Sequence, residues 1–178
     1  MKFYEKTISK KLIYSGNYLK ISNIEVELPN GKITTRDIIN HPGACAIIPF
    51  IDDNTILLIE QFRKPLNKTI LEIPAGKLSE NESILDCAHR ELEEETGYVS
   101  DHWKHIYTIP SNPTIADNYA YLYYADDCEK VSNQHLDSTE FLEVKEYTED
   151  EINDLIKNNE FVQPIHLMGW LMVKKGVL

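Results

Sequence analysis

The first 40 residues alternate between apolar and polar side chains, and turn residues interrupt the alternation at short intervals. Asn30-Gly31 separates two such runs, at 24–28 and 33–39. An Asn-Gly pair between strand-like runs is a strong hairpin signal. The pattern therefore predicts a small antiparallel β-sheet within residues 1–40.

From residue 41 onward, short apolar runs typical of buried strands are mixed with longer segments of helical periodicity. Strand-like runs lie at 45–51, 55–60, 105–109, 119–125 and 141–144, and helical patterns at 82–96, 148–159 and 163–174. Mixed strands with two or three helices predict an α/β or α+β sandwich. We therefore expect two parts, an N-terminal sheet at 1–40 and a larger domain at 41–178.

The helix ends carry local signals. Ser79-x-x-Glu82 fits a capping box, with Asn81 as the alternative N-cap, and Gly97 suits the position just after the helix. Thr148 is the predicted N-cap of the next helix, because acidic residues follow it in the first turn.

The charge balance excludes some partners. The chain has 178 residues, with 29 acidic and 18 basic side chains and a net charge of −11. Such a chain has no general attraction to nucleic acids or anionic membranes. A polyanionic substrate would need bound cations or a few well-placed basic side chains.

The sequence also predicts a cytoplasmic protein. No run approaches the length of a transmembrane helix, and the N-terminus lacks the apolar stretch of a signal peptide. The three cysteines, Cys45, Cys87 and Cys128, show no metal-ligand spacing, which indicates reduced, mostly buried thiols.

The helical pattern at 82–96 places a carboxylate where an apolar side chain belongs. Ile84, Leu85, Ala88 and Leu92 define its apolar stripe, and Glu95 falls within that stripe. Glu91 lies on the flank of the stripe, whereas Glu93 points away from it.

Carboxylates are unfavourable in the last turn of a helix, and burying one without a partner costs several kcal/mol. Glu91, Glu94 and Glu95 also crowd one another at spacings of three and four residues. A divalent cation would relieve both the repulsion and the burial. Oxygen ligands favour Mg²⁺ or Mn²⁺ over zinc, although a purely structural cluster remains the alternative.

The same segment, residues 76–98, resembles the Nudix box, G-x5-E-x7-R-E-U-x-E-E-x-G-U with U aliphatic. The matching residues are Gly76, Glu82, Arg90, Glu91, Leu92, Glu94, Glu95 and Gly97. Tyr98 departs at the last aliphatic position, which packs rather than reacts.

This resemblance implies an α/β/α sandwich with a mixed sheet, and Mg²⁺-dependent hydrolysis of a nucleoside diphosphate linked to another group. It implies that Glu91 and Glu95 are metal ligands, that Glu94 helps through the metal or a water, and that the carbonyl of Ala75 completes the site. Glu82 and Arg90 would be a structural pair, and Gly76 and Gly97 structural glycines of the box.

The flanking residues resemble the ADP-ribose pyrophosphatase branch, since residues 60–63 read EQFR and residues 71–76 read LEIPAG. The resemblance implies that Arg63 and Pro113 contact the substrate, which would be ADP-ribose hydrolysed to AMP and ribose 5-phosphate. The alternatives are an ordinary surface arginine at the end of a strand and a proline that only forms a turn. Glu72 is either an outer carboxylate of the metal site or a structural one.

Other interpretations stay open. Asn118 stands where this branch often has a carboxylate, and hydrolases of GDP-mannose or other nucleotide sugars share the fold and the N-terminal sheet. A non-catalytic nucleotide-binding module usually loses box carboxylates, and all are present here. Enzymes that hydrolyse oxidised nucleoside triphosphates tend to lack the N-terminal sheet.

We also expect a homodimer built partly from residues 1–40, because a sheet of that size has too small a core to be stable alone. Members of this branch exchange such sheets between subunits, and Arg36 is the candidate for reaching a partner's site.

The general base is expected outside the box, because metal binding lowers the basicity of the box carboxylates. By resemblance it lies in the acidic loop at 136–140, with Glu140 the first candidate and Asp137 the second. The alternatives are that both side chains only solvate the loop, or that Glu94 or a metal-bound hydroxide acts instead.

Overall fold

The computed structural model describes residues 2–176, which fold into twelve strands and three helices. The strands are β1 (Lys6–Ser15), β2 (Lys20–Glu27), β3 (Ile33–Asn40), β4 (Ala44–Asp52), β5 (Thr55–Arg63), β6 (Lys68–Glu72), β7 (Ala75–Lys77), β8 (Tyr98–Val99), β9 (His102–Pro110), β10 (Tyr119–Asp126), β11 (Glu129–Lys130) and β12 (Leu142–Thr148). The helices are α1 (Ile84–Thr96), α2 (Glu149–Lys157) and α3 (Pro164–Lys174). These elements form two compact units, residues 1–43 with 110–119, and residues 44–109 with 120–178.

The first unit is built on an antiparallel sheet in the order β1-β2-β3, as the alternating pattern predicts. The β2–β3 hairpin closes through a hydrogen bond of 2.9 Å from the Gly31 N–H to the Leu28 carbonyl. Gly31 adopts a φ of 79°, which explains the glycine in this turn. Strand β1 is exposed along its whole length and includes the apolar side chains of Leu12 and Tyr14.

A later segment, residues 110–119, belongs to this first unit. Its backbone bridges to β3, where the Ile39 N–H donates to the Ile115 carbonyl at 2.7 Å. The Asn40 side chain also donates to Asp117 at 2.7 Å. The hydrophobic pattern carries no sign of this pairing, because the two segments are far apart in sequence.

The second unit contains a seven-stranded sheet with the order β12-β5-β4-β10-β9, to which β6 adds along β5 and β7 along β4. The sheet is mixed, since β4 pairs with β10 in parallel and with β5 antiparallel.

Side chains of β4 alternate between two cores, one on each face of the sheet. Ile48 and Phe50 pack with Trp170 of α3, whereas Cys45 and Ile47 pack against α1. Helices therefore cover both faces of the sheet, and the predicted α/β/α sandwich with a small N-terminal antiparallel sheet is confirmed.

Helix α1 begins later than the sequence predicts. Its N-cap is Ser83, whose side chain accepts from the Asp86 N–H at 3.1 Å. Asn81 cannot be the cap because its φ of 63° is left-handed, whereas an N-cap is extended. Ser79 instead forms a turn before the helix, donating its N–H to the Glu82 carboxylate at 2.9 Å.

Other helix ends follow the sequence signals. Gly97 ends α1 with a φ of 76°, and its N–H donates to the Glu93 carbonyl. Thr148 caps α2 in a full capping box with Glu151. Within residues 2–176, no helix has the length and apolar character needed to cross a membrane.

Candidate active site

The site candidates on α1 differ in exposure, as the helical periodicity predicts. Glu95 faces the interior and is only 3% exposed. Glu91 and Glu94 are partly buried, and Glu93 is exposed to solvent. The end of the helix thus presents Glu95 to the interior and Glu93 to solvent, with Glu91 mostly buried and the Glu94 side chain still 42% exposed.

Glu95 is held by the backbone of the strand beside α1. The Ala75 N–H donates to its Oε2 at 2.9 Å. Burial raises the pKa of Glu95 well above its ordinary range, the Ala75 hydrogen bond opposes this, and the charges of Glu91 and Glu140 add to it. The ionised form is therefore disfavoured until a cation neutralises it.

Glu91 lies against Gly76. A Cβ atom at Gly76 would come within 1.8 Å of the Glu91 Cδ, so only glycine leaves room for this carboxylate. Burial raises the pKa of Glu91, and the neighbouring Arg90 opposes that shift. The glycine that opens the box is thus explained by close approach rather than by backbone conformation.

Arg90 contacts three carboxylates. Its Nε donates to Glu82 Oε1 at 2.7 Å, and its Nη1 lies 2.8 Å from Glu91 Oε1 and 2.9 Å from Glu94 Oε2. The hydrogen bond from Arg90 lowers the pKa of Glu82 to about 2. The predicted contact between Glu82 and Arg90 is present, and the same guanidinium also meets two of the predicted metal ligands.

The donor chemistry of this cluster fits a divalent cation, although the side chains are not arranged as a cage. Among residues 2–176, no group of three acidic, histidine or cysteine side chains stands ready to hold a metal. Arg90 occupies oxygens of Glu91 and Glu94, and Ala75 meets Glu95 through its N–H. Carboxylates that are buried and repel one another nevertheless suit a hard cation such as Mg²⁺.

The loop before β12 brings a further carboxylate to this cluster. The charge of Glu140 is among the causes that raise the pKa values of both Glu91 and Glu95. Asp137 is exposed and accepts the Glu140 N–H on its backbone carbonyl at 2.8 Å. Of the two candidate bases, Glu140 is thus the one whose charge acts on Glu91 and Glu95.

The segment 131–135 anchors that loop to the end of α1. The Gln134 Nε2 donates to the Glu95 carbonyl at 2.6 Å, and the His135 N–H donates to the Glu94 carbonyl at 2.8 Å. The Val131 N–H donates to the Gly97 carbonyl at 3.0 Å. These donors satisfy carbonyls that a helix end leaves without partners. Sequence reasoning missed Gln134, since no local pattern marks it.

Arg63 lies at the end of β5, where it pairs with the buried Glu72. Its Nε and Nη2 lie 2.8 and 2.7 Å from Glu72 Oε2. Glu72 is 1% exposed and also accepts from Gln163, a residue that sequence reasoning did not single out. These contacts agree with the structural interpretation of Glu72.

The remaining candidates, Arg36 and Pro113, lie in the first unit. Arg36 on β3 pairs with Glu5 at 2.8 Å. Pro113 lies in an exposed loop closed by a hydrogen bond of 3.1 Å from the Ser111 N–H to the Asn118 carbonyl. Their substrate contacts stay predictions.

Comparison with known proteins agrees with this geometry. The NUDIX domain family model matches residues 40–166. The chain is 41% identical to an ADP-ribose pyrophosphatase of Bacillus subtilis, covering 97% of this chain and 95% of that protein. It is 44% identical to a methanol dehydrogenase activator of Bacillus methanolicus, covering 87% of this chain and 84% of that protein.

A solved structure shows the same fold. The crystal structure of an ADP compounds hydrolase matches with a TM-score of 0.85 at 19% identity, covering 97% of this chain and 94% of that chain. From the box, the sandwich that carries it and these matches, we conclude that the chain belongs to the Nudix hydrolase family.

Proposed function

We propose that this Nudix hydrolase cleaves the pyrophosphate bond of ADP-ribose with Mg²⁺, giving AMP and ribose 5-phosphate. The observation that carries the proposal is the placement of Glu91 and Glu95 in the last turns of α1, both partly or fully buried, with the charge of Glu140 acting on each. The substrate is supported by the likeness to the Bacillus subtilis ADP-ribose pyrophosphatase over nearly the whole chain.

The α1 carboxylates would hold the cation. Glu91 and Glu95 are the proposed ligands, with Glu94 as a further one and the Ala75 carbonyl completing the site. When bound, Mg²⁺ or Mn²⁺ neutralises the non-bridging phosphate oxygens and lowers the pKa of the attacking water. Glu82 keeps Arg90 beside this turn, so that the helix and the preceding loop stay together.

Arg63 would bind the anionic substrate. Glu72 fixes two of its nitrogens, yet the Arg63 side chain keeps 41% of its surface exposed. A restrained and accessible guanidinium is well suited to a phosphate group.

Glu140 is the proposed general base, with Asp137 as the second candidate. A carboxylate on a loop can deprotonate the attacking water without being a metal ligand itself. We expect Glu140→Gln to lower kcat strongly with little change in KM, and Asp137→Asn to change neither. Unchanged kcat in both variants would move the role to Glu94 or to a metal-bound hydroxide.

The substrate is tested by a screen of nucleoside diphosphate derivatives with products identified by mass spectrometry. The panel holds ADP-ribose, other ADP-sugars, GDP-mannose and an oxidised nucleoside triphosphate, each with Mg²⁺, Mn²⁺ or a chelator. We expect the highest kcat/KM for ADP-ribose and no turnover with the chelator. Preference for GDP-mannose would refute the substrate, and binding without any turnover would indicate a nucleotide-binding module.

The metal ligands are tested by removing one charge at a time. Glu95→Gln and Glu91→Gln should each lower turnover by orders of magnitude while the protein stays folded. Glu93→Gln is the matched control, because this exposed glutamate lies on the same helix but points to solvent. Near-normal activity of Glu95→Gln at saturating Mg²⁺ would show that the metal assignment is wrong.

A further inference from the structure

The N-cap residue of helix α3 uses its side chain to bind a distant strand residue instead of capping the helix. Gln163 is the N-cap of α3, yet its side chain makes no capping hydrogen bond. Its Nε2 instead donates to Glu72 Oε1 at 2.5 Å, across 91 positions of the sequence. Pro164 follows at the first helical position, where the missing N–H costs nothing.

The two oxygens of Glu72 are divided between two partners. Gln163 binds Oε1, whereas the Arg63 guanidinium binds Oε2 through Nε and Nη2. A carboxylate that is 1% exposed depends on such partners, since each lost hydrogen bond leaves a buried charge less compensated. Gln163 therefore limits the rotation of Glu72, and Glu72 limits that of Arg63.

We propose that Gln163 is a positioning residue that acts through Glu72 to hold the Arg63 guanidinium in the orientation that binds the substrate's pyrophosphate. This inference rests on the proposed function, in which Arg63 contacts the substrate. It adds a contribution of the C-terminal helix to substrate affinity.

The effect should fall on binding rather than on the chemical step. Gln163→Met keeps the length of the side chain and removes the donor, so Glu72 and Arg63 gain freedom. A looser contact between Arg63 and the phosphate weakens binding of the ground state and of the transition state equally, which raises KM and leaves kcat unchanged. We expect KM for ADP-ribose to rise by roughly three- to tenfold, with kcat within about twofold.

A double-mutant cycle separates positioning from general stability. Arg63→Ala should raise KM by itself, and Gln163→Met should add nothing in the Arg63→Ala background. Val162→Met, at an exposed neighbouring position, is the control and should leave KM unchanged. Gln163→Asn, which is too short to reach Glu72, is the second variant should Gln163→Met not fold.

The outcomes distinguish the two proposals. If Arg63→Ala raises KM but Gln163→Met does not, or if the two effects add fully, the role of Gln163 is refuted. An unchanged KM in Arg63→Ala also refutes the role of Gln163, but it does not contradict the proposed hydrolysis of ADP-ribose. If the wild-type protein turns over nothing, the proposed function fails, and the same cycle measured by calorimetry as ADP-ribose binding still decides the role of Gln163.

Discussion

Replacing the buried His166 by asparagine should make the protein less sensitive to acid. His166 is 4% exposed on α3, and its Nδ1 accepts the Ile73 N–H at 3.4 Å. Burial, aided by the positive charge of Arg63, lowers the pKa of His166 to about 3 from an ordinary 6.5. The folded protein therefore keeps this imidazole neutral at pH values where the unfolded chain protonates it.

The sign and size follow from proton linkage. Because the folded pKa is the lower one, the stability from a neutral His166 is fully present above pH 6.5 and is lost as the pH falls toward 3. A pH of about 5 lies roughly 1.5 pH units below the unfolded-state pKa. At about 1.36 kcal/mol per unit, the loss between neutral pH and pH 5 is about 2 kcal/mol.

Chemical unfolding at about pH 8 and about pH 5 measures this loss. In His166→Asn the amide oxygen can accept the Ile73 N–H but does not titrate. The variant's deficit in unfolding free energy relative to the wild type should therefore shrink by about 2 kcal/mol at the lower pH. A deficit that is equal at both pH values would refute the account of a buried neutral histidine.

Further predictions concern the glycines and the N-terminal sheet. Gly76→Ala should leave the melting temperature within a few degrees but lower kcat at least about tenfold, because the new Cβ displaces the flexible end of Glu91. Activity assays and thermal unfolding of the same variant check this, and a normal kcat would contradict it. Gly97→Ala should lower the free energy of unfolding by about 2 kcal/mol or more, since φ is positive and the Cβ would lie 2.3 Å from a backbone oxygen. Gly31→Ala, with a similar φ but open space around it, should lower it by about 1 kcal/mol. Equal losses of the two variants in urea unfolding would exclude the steric contribution. The exposed apolar side chains of β1 support the proposed homodimer, and a monomeric mass by light scattering at micromolar concentration would overturn it.

Local chemistry was enough to predict several features of the site. Glu95 falls on the buried stripe because helical periodicity depends only on neighbouring residues, and Gly97 ends the helix because it tolerates a left-handed φ. The start of the helix was predicted wrongly. Ser79 and Asn81 both carry cap signals, but Asn81 has a left-handed φ that an N-cap does not adopt, and the cap is Ser83.

Partners distant in the chain were decided only by the tertiary structure. Gln163 meets Glu72 across 91 positions, and Gln134 meets the Glu95 carbonyl across 39. No periodicity or turn signal encodes such pairs, because they exist only once the sheet has brought separate segments together. The sequence determined which helix carries the carboxylates, whereas folding determined which side chains and backbone groups hold that helix, Arg63 and the Glu140 loop in place.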